Sequence, residues 1–336
     1  MKKISNYILA FFAASTLFSS CKFKQREPIK NYPVTLRFAE NHVTGYPTTL
    51  ADEEFARLVE EKTEGRVKIE VKSGGALTET SAETIEALKN GDIAFSRVSV
   101  SPLTSYIPKF SVLQLPYIFT SSTHQWNVLN GKLGQDLLSE LEISGSGLVG
   151  LCYYDSGARN FYSTKVIKSI EDLKDLRIRA QGAMMVDMVE ALGAVAVTGI
   201  TMSEVRQNIE NGTIDAAENN WPTYQSTNDY TAAKYYVLDQ HSRIPEVLAA
   251  SKKALSRISP EDVAIIKEVS KQIQDYEIQQ WKDKELDSEQ IVRRSGTIVI
   301  ELPAHVQKEF QDAMQPLYDK YASQYKSILK EIQSTK

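Results

Sequence analysis

Ser259-Pro260-Glu261-Asp262-Val263 opens a stretch, residues 259–294, whose reading decides the architecture. Ser stands where a helix needs a side-chain acceptor for its free N–H groups, Pro at the first helical position, and two acids where the helix dipole favours negative charge. Val263, Ile266, Val269, Ile273, Ile278 and Trp281 then recur at helical spacing, and nothing stops the helix before Ser295-Gly296. Such a helix runs on the order of 50 Å at 1.5 Å per residue. That exceeds one small lobe, so the helix is expected to bridge two.

Upstream, two α/β units supply the material for those lobes. In the first, Val34, Leu36 and Phe38 alternate as a strand, Leu50, Phe55, Leu58 and Val59 follow helical spacing, and Val67, Ile69 and Val71 alternate again. Ile85 and Leu88 mark a second helix ending at Asn90-Gly91, and Ile93 to Phe95 resumes a strand. This βαβαβ order predicts a parallel sheet with helices on its faces. The second unit runs from strand-like Leu148 to Tyr154 through Ile178 to Ala180. The Met185, Met188, Val189, Leu192 helix follows, then a helix from Ser203 to Asn211-Gly212 and a strand from Ile214 to Ala217. Beyond the long helix come the strand Thr297 to Ile300 and a helical region from Ala304 to Ile332. With 336 residues and no low-complexity linker, several crossing segments rather than one tether are expected to join the lobes.

A formal net charge of −4 with both signs interspersed gives no basic field for neutralising phosphates, which excludes nucleic acid as a partner. Lys2 and Lys3, the apolar run Ile8 to Phe18 and Ser19-Ser20-Cys21 read as a signal peptide ending at a lipidation site. Cys21 is the expected lipid anchor and residues 22–32 its polar tether, with simple cleavage as the alternative. Phe18 occupies the place where the lipoprotein pattern prefers Leu. The one other cysteine, Cys152 between Leu151 and Tyr153, reads as a small buried hydrophobe.

Catalytic and metal patterns are missing. His42, His124, His241 and His305 include no two at the spacing by which one helix offers a pair of ligands. There is no phosphate-binding glycine loop after a strand and no Gly-x-Ser-x-Gly elbow, and Ser144-Gly145-Ser146-Gly147 reads as a turn. No metal or cofactor is expected, and a binding role is favoured over an enzyme.

From Leu115 onward a series of stretches carries a resemblance. They are Leu115-Pro116-Tyr117-Ile118-Phe119, residues 157–162 (Gly-Ala-Arg-Asn-Phe-Tyr), residues 171–179 (Glu-Asp-Leu-Lys-Asp-Leu-Arg-Ile-Arg), Ala191-Leu192-Gly193-Ala194, Ser203-Glu204-Val205 and residues 211–219 (Asn-Gly-Thr-Ile-Asp-Ala-Ala-Glu-Asn). In this order the chain resembles the solute-binding proteins of tripartite ATP-independent periplasmic (TRAP) transporters, the DctP family. The resemblance implies a two-lobed α/β periplasmic-binding-protein (type II) fold with a central cleft, hinge strands and a long bridging helix. On that reading residues 1–20 are the signal peptide and 21–33 the tether. Residues 34–156 with about 245–280 form lobe 1, 157–244 with about 281–312 form lobe 2, and 313–336 form a C-terminal helical region.

The resemblance also implies a site. Arg179 takes the place of the family's carboxylate-pairing Arg, Arg159 that of a second donor, and Asn219 that of the Asn closing the last stretch. Physically, a guanidinium presents parallel N–H donors matched to a carboxylate, and a strand holds its base rigidly. Glu218-Asn219-Asn220-Trp221-Pro222, Tyr224 and His241 look like the branch that takes up sugar acids, particularly hexuronates; Trp221 and Tyr224 are expected to stack on apolar sugar faces or to pack a lobe interior. Asn41, His42, Tyr46, Arg97 and Ser99 lie where the first lobe reaches the cleft. Arg206 departs from the apolar residue common after Glu-Val. The expected partners are a small carboxylate, separately encoded membrane subunits, and the membrane through the lipid anchor. The alternatives are a receptor for another organic acid (C4-dicarboxylate, keto acid or sialic acid) and a receptor presenting ligand to a sensor kinase.

Overall fold

A computed structural model describes residues 33–336; the signal peptide and Cys21 lie outside the described residues. Eleven strands are described: β1 Val34–Ala39, β2 Val67–Lys72, β3 Phe95–Ser99, β4 Leu148–Tyr154, β5 Asn160–Ser163, β6 Arg177–Arg179, β7 Val195–Val197, β8 Ala216–Asn219, β9 Tyr235–Val237, β10 Glu246–Ser251 and β11 Ile298–Ile300. They form two sheets, one in the order β2-β1-β3-β10-β4 and one in the order β11-β9-β5-β8-β6-β7.

The first sheet is mixed rather than parallel. β1 pairs parallel with β2 and β3 as its βαβαβ order requires, but β10 enters antiparallel between β3 and β4. A strand arriving from the other lobe runs back along the sheet, and its direction could not be read from the local pattern. Both faces of β10 are buried: Val247 and Ala249 join one core with Leu113, Leu138 and Tyr153, while Leu248 and Ala250 join another with Phe38, Phe55 and Ile266. A strand covered on both sides reads as a continuous apolar run, which is why residues 247–250 show no alternation.

The long helix spans Pro260–Arg294 without a break. Ser259 caps it, its hydroxyl accepting from the Asp262 N–H at 3.0 Å, and Pro260 stands at the first helical turn. Its first half buries Ile266, Val269 and Ile273 in lobe 1, and near its end Val292 packs in lobe 2 with Trp221 and Tyr236. Glu277 and Trp281 fall between, where the chain passes from one sheet to the other. The chain crosses there between β4 and β5, returns between β9 and β10, crosses a third time in the long helix, and adds β11 to the second sheet.

The final helices, Ala304–Asp312, Gln315–Ala322 and Lys326–Ser334, run from one lobe to the other. Phe310, Met314 and Leu317 belong to the lobe 2 core, Ala322 and Ile332 to that of lobe 1. His124 Nε2 lies 2.9 Å from the Ile332 carbonyl oxygen, tying the last helix to the Ser122–Asn130 helix.

At the first crossing Gly157 adopts φ +64, and a Cβ there would come within 2.6 Å of Trp281 Nε1. Both the left-handed backbone and the close approach of the indole require glycine. The Asp155 N–H donates to Glu277 Oε2 at 2.8 Å, so the long helix holds the crossing peptide from two sides. Burial and the neighbouring Asp155 push the Glu277 carboxyl well above the usual range.

Candidate functional site

A cavity of about 160 Å³ lies between the sheets, lined from both lobes and by Trp281 of the long helix. Lobe 1 contributes His42 and Tyr46 from the loop after β1, Arg97 and Ser99 from β3, and Glu246 from the start of β10. Lobe 2 contributes Arg159, Arg179, Gln181, Met202, Asn219, Asn220 and Thr223; Ser156 and Ile244 come from the two crossing segments. The lobes touch across it, the Tyr46 hydroxyl standing 3.3 Å from Thr223 Oγ1. Tyr46 also stacks on His42, ring centres 3.9 Å apart, and meets Trp281 edge-on at 5.8 Å.

Three arginines face this cavity in three different electrostatic settings. Arg97 is gripped by two acids: Nε and Nη2 donate to Glu40 at 3.0 and 2.9 Å, and Nη1 donates to Glu246 at 2.7 Å. Burial alone would raise the Glu40 carboxyl, but the Arg97 charge and the His42 contacts outweigh it and hold Glu40 well below the usual range. Behind it, burial and the Glu40 charge push the Asp52 carboxyl well above its ordinary value, and the Tyr154 hydroxyl donates to it at 3.1 Å.

Arg159 makes a two-pronged pair with Glu218, Nε to Oε2 at 2.5 Å and Nη2 to Oε1 at 2.8 Å. The same Glu218 oxygen lies 3.4 Å from His241 Nε2, and His241 Nδ1 lies 2.7 Å from Asp239. Burial works against the charged imidazole, but Asp239 and Glu218 outweigh it and raise His241 to about 9. Burial likewise opposes the Glu218 charge, and Arg159 with His241 brings Glu218 down to about 2. Arg159, Glu218, His241 and Asp239 therefore alternate in sign and balance.

Arg179 differs. It is 4% exposed, and its donors reach only neutral acceptors, the Ile200 carbonyl at 3.1 Å and the Gln181 side-chain oxygen at 2.9 Å. Among the described residues no carboxylate lies within ion-pair distance of it. Burial lowers its affinity for its proton, as expected of a cation without a counter-charge. A buried charge left unpaired is costly.

Residues 38–324 match the family model of bacterial extracellular solute-binding proteins, family 7 (DctP). The chain belongs to this family. A solved TRAP periplasmic solute-binding protein from a Bradyrhizobium species, in complex with α/β-D-galacturonate, is 38% identical to the chain, with a TM-score of 0.83 over 90% of this chain and 100% of that one. One from Pseudomonas putida F1 with bound D-glucuronate is 31% identical, with a TM-score of 0.84 over 90% and 97%. The C4-dicarboxylate-binding protein DctB of Bacillus subtilis is 30% identical over 86% of this chain and 82% of its own length. Family and neighbours are solute-binding proteins. No helix among the described residues is long and apolar enough to cross a membrane.

Within this family fold, the cavity brings together Arg179, Arg159, Asn219, His42, Tyr46, Ser99 and Arg97. Trp221, Tyr224, His241 and Asn41 stand away from it. The faces of Trp221 and Tyr224 are already used: Trp221 stacks on Tyr236 at 3.8 Å, and Tyr224 packs on Tyr162 at 4.6 Å with no exposed surface. Of the two expectations for this pair, the structure corresponds to packing of the lobe interior. His241 is fully buried one layer behind, where it orients Glu218; Asn41 points to solvent. Arg206 pairs with Glu210 at 2.9 Å on the surface and does not line the cavity.

Gln181, Glu246 and Trp281 were not anticipated. Gln181 carried a usable signal, because it lies two residues past Arg179 in extended chain and so shares its face. Trp281 continues the apolar stripe of the long helix and cannot be told from core by spacing.

Proposed function

We propose that the protein is the extracytoplasmic receptor of a TRAP transporter, capturing a hexuronate such as D-galacturonate or D-glucuronate between its lobes for delivery to membrane subunits. The observation that carries this reading is Arg179, a buried guanidinium in the cavity without an acid partner among the described residues. The ligand carboxylate supplies that partner. Arg159, whose Nε and Nη2 are committed to Glu218, offers its remaining N–H donors to a carboxylate or hydroxyl oxygen, and Asn219 offers an amide to a hydroxyl. The bound uronates of the Bradyrhizobium and Pseudomonas structures support the choice of ligand class. The Bacillus relative makes C4-dicarboxylates the competing class.

Thermal unfolding with a panel of acids tests the reading, because a ligand that binds only the native state stabilises it by about 2.7 kcal/mol at a hundred times its Kd. D-Galacturonate or D-glucuronate should raise the Tm by several degrees. A rise with C4-dicarboxylates or sialic acid and none with either uronate would refute it.

The receptor is held at the membrane by a lipid on Cys21, a reading that rests on Ser19-Ser20-Cys21 at the end of the apolar leader. Cys21→Ser should move the protein from the membrane fraction to the soluble extracytoplasmic fraction; membrane retention of the variant would defeat it.

A further inference from the structure

The charges around the cavity do not cancel locally. On lobe 2 the excess is positive, since Arg159 pairs with Glu218 while Arg179 has no carboxylate within ion-pair distance among the described residues. On lobe 1 one guanidinium, Arg97, stands between two acids, Glu40 and Glu246, and His42 Nδ1 lies 3.2 Å from Glu40 Oε1. Of those acids Glu40 is fully covered and directs both oxygens at Arg97. Glu246 lines the cavity: its Oε1 accepts from Arg97 Nη1 at 2.7 Å, while its Oε2 has no hydrogen-bond partner among the described residues. The cavity therefore presents an unmatched cation from one lobe and an unmatched carboxylate oxygen from the other.

We propose that Glu246 determines specificity by accepting a ligand hydroxyl at the end away from the Arg179 clamp, so that the receptor takes acids with one carboxylate and rejects those with two. The inference rests on the hexuronate reading for the end of the ligand held by Arg179. A hydroxyl donates its proton to a carboxylate in a charge-assisted bond. A second carboxylate at that place would stand against Glu246 in a site shielded from water, where like charges repel strongly. Arg97 cannot rescue it, since its charge is already over-matched by Glu40 and Glu246. The wall thus works by penalising the wrong ligand as well as by binding the right one.

Calorimetry on the full receptor decides this with matched pairs: D-galacturonate against galactarate, and D-glucuronate against D-glucarate, the partner in each carrying a second carboxylate at the far carbon. The parent should prefer the uronate by about thirtyfold or more, the equivalent of roughly 2 kcal/mol. Aldarates also lack the pyranose ring, so the change in that ratio between variants carries the test. Glu246→Gln keeps the size and an acceptor for Arg97 but removes the charge; it should shift the ratio toward the aldarate by about tenfold or more. Glu246→Asp keeps the charge and should retain the discrimination, which separates the electrostatic effect from damage to the strand. A ratio that stays within about threefold in Glu246→Gln, or a parent that binds aldarate as tightly as uronate, overturns the assignment while leaving the uronate reading intact. A parent that binds neither uronate overturns that reading and this one together.

Discussion

Arg179→Ala should weaken hexuronate binding by about 30- to several thousand-fold. The side chain is buried, its only acceptors among the described residues are the Ile200 carbonyl and Gln181, and on the proposed reading the ligand supplies its counter-charge. Removing it leaves a desolvated ligand carboxylate without its main partner, and truncating one side of such a pair costs about 2–5 kcal/mol. Each 1.4 kcal/mol is about tenfold in Kd, which gives the range. The empty protein should be little destabilised, because no acid among the described residues is orphaned when Arg179 goes. Arg159 stands in the opposite position, since its removal would strand Glu218. Arg179→Lys keeps the charge but loses the planar fork and the Nε–H bond to Ile200, so it should remain far weaker than the parent. Calorimetry on variants with unchanged circular dichroism checks this. Binding within about threefold of the parent by Arg179→Ala would remove the clamp and the ligand orientation built on it.

Stability should fall by on the order of 3 kcal/mol between about pH 6.5 and 9 through His241 alone. Its imidazole is raised from 6.5 to about 9 in the folded protein, where burial is outweighed by Asp239 and Glu218. A group whose folded value is raised contributes its full stabilisation below the unfolded value and loses it as pH climbs through the folded one. At about 1.4 kcal/mol per pH unit, that interval gives the magnitude. The pairing with Glu218, lowered from 4.5 to about 2, is partly the same interaction seen from the acid, and the two are not additive. Its contribution is present above about pH 4.5 and is lost as pH falls toward 2. The pair therefore supports a plateau between about pH 4.5 and 6.5. Urea unfolding of the parent and of His241→Gln at pH 6 and pH 9.5 measures the difference: the parent should lose stability over this interval that the variant does not, and parallel losses would exclude the imidazolium.

The features legible in the sequence are those written in local periodicity. The long helix declares itself by its cap, its first-turn acids and one continuous apolar stripe, and β4 by a run of buried residues from Leu148 to Tyr154. Arg179, Arg159 and Asn219 came from the family register, because nothing local distinguishes a cavity arginine from the half-buried Arg177 two residues away, which pairs with Asp215. Trp221 and Tyr224 illustrate the opposite limit: aromatic rings suit both a sugar face and an aromatic core, and only the packing of Tyr162 and Tyr236 against them decides. Glu246 was hidden by topology. It reaches Arg97 because β10 inserts antiparallel beside β3, a pairing between residues about 150 apart in the chain that no short-range pattern encodes.

The contact between His124 and Ile332 spans 208 residues. Ribosomal synthesis at roughly 5–20 residues per second needs about 10 to 40 s to make the chain between them. Throughout that interval the Ser122–Asn130 helix and its neighbours wait for the element that completes their core, and lobe 2 waits likewise for Phe310 and Met314. Neither core is complete until these C-terminal segments have been made. In a family whose members work outside the cytoplasm, this wiring holds the chain short of its native state for as long as it is being made, so folding is deferred by topology itself until the last helices have been added.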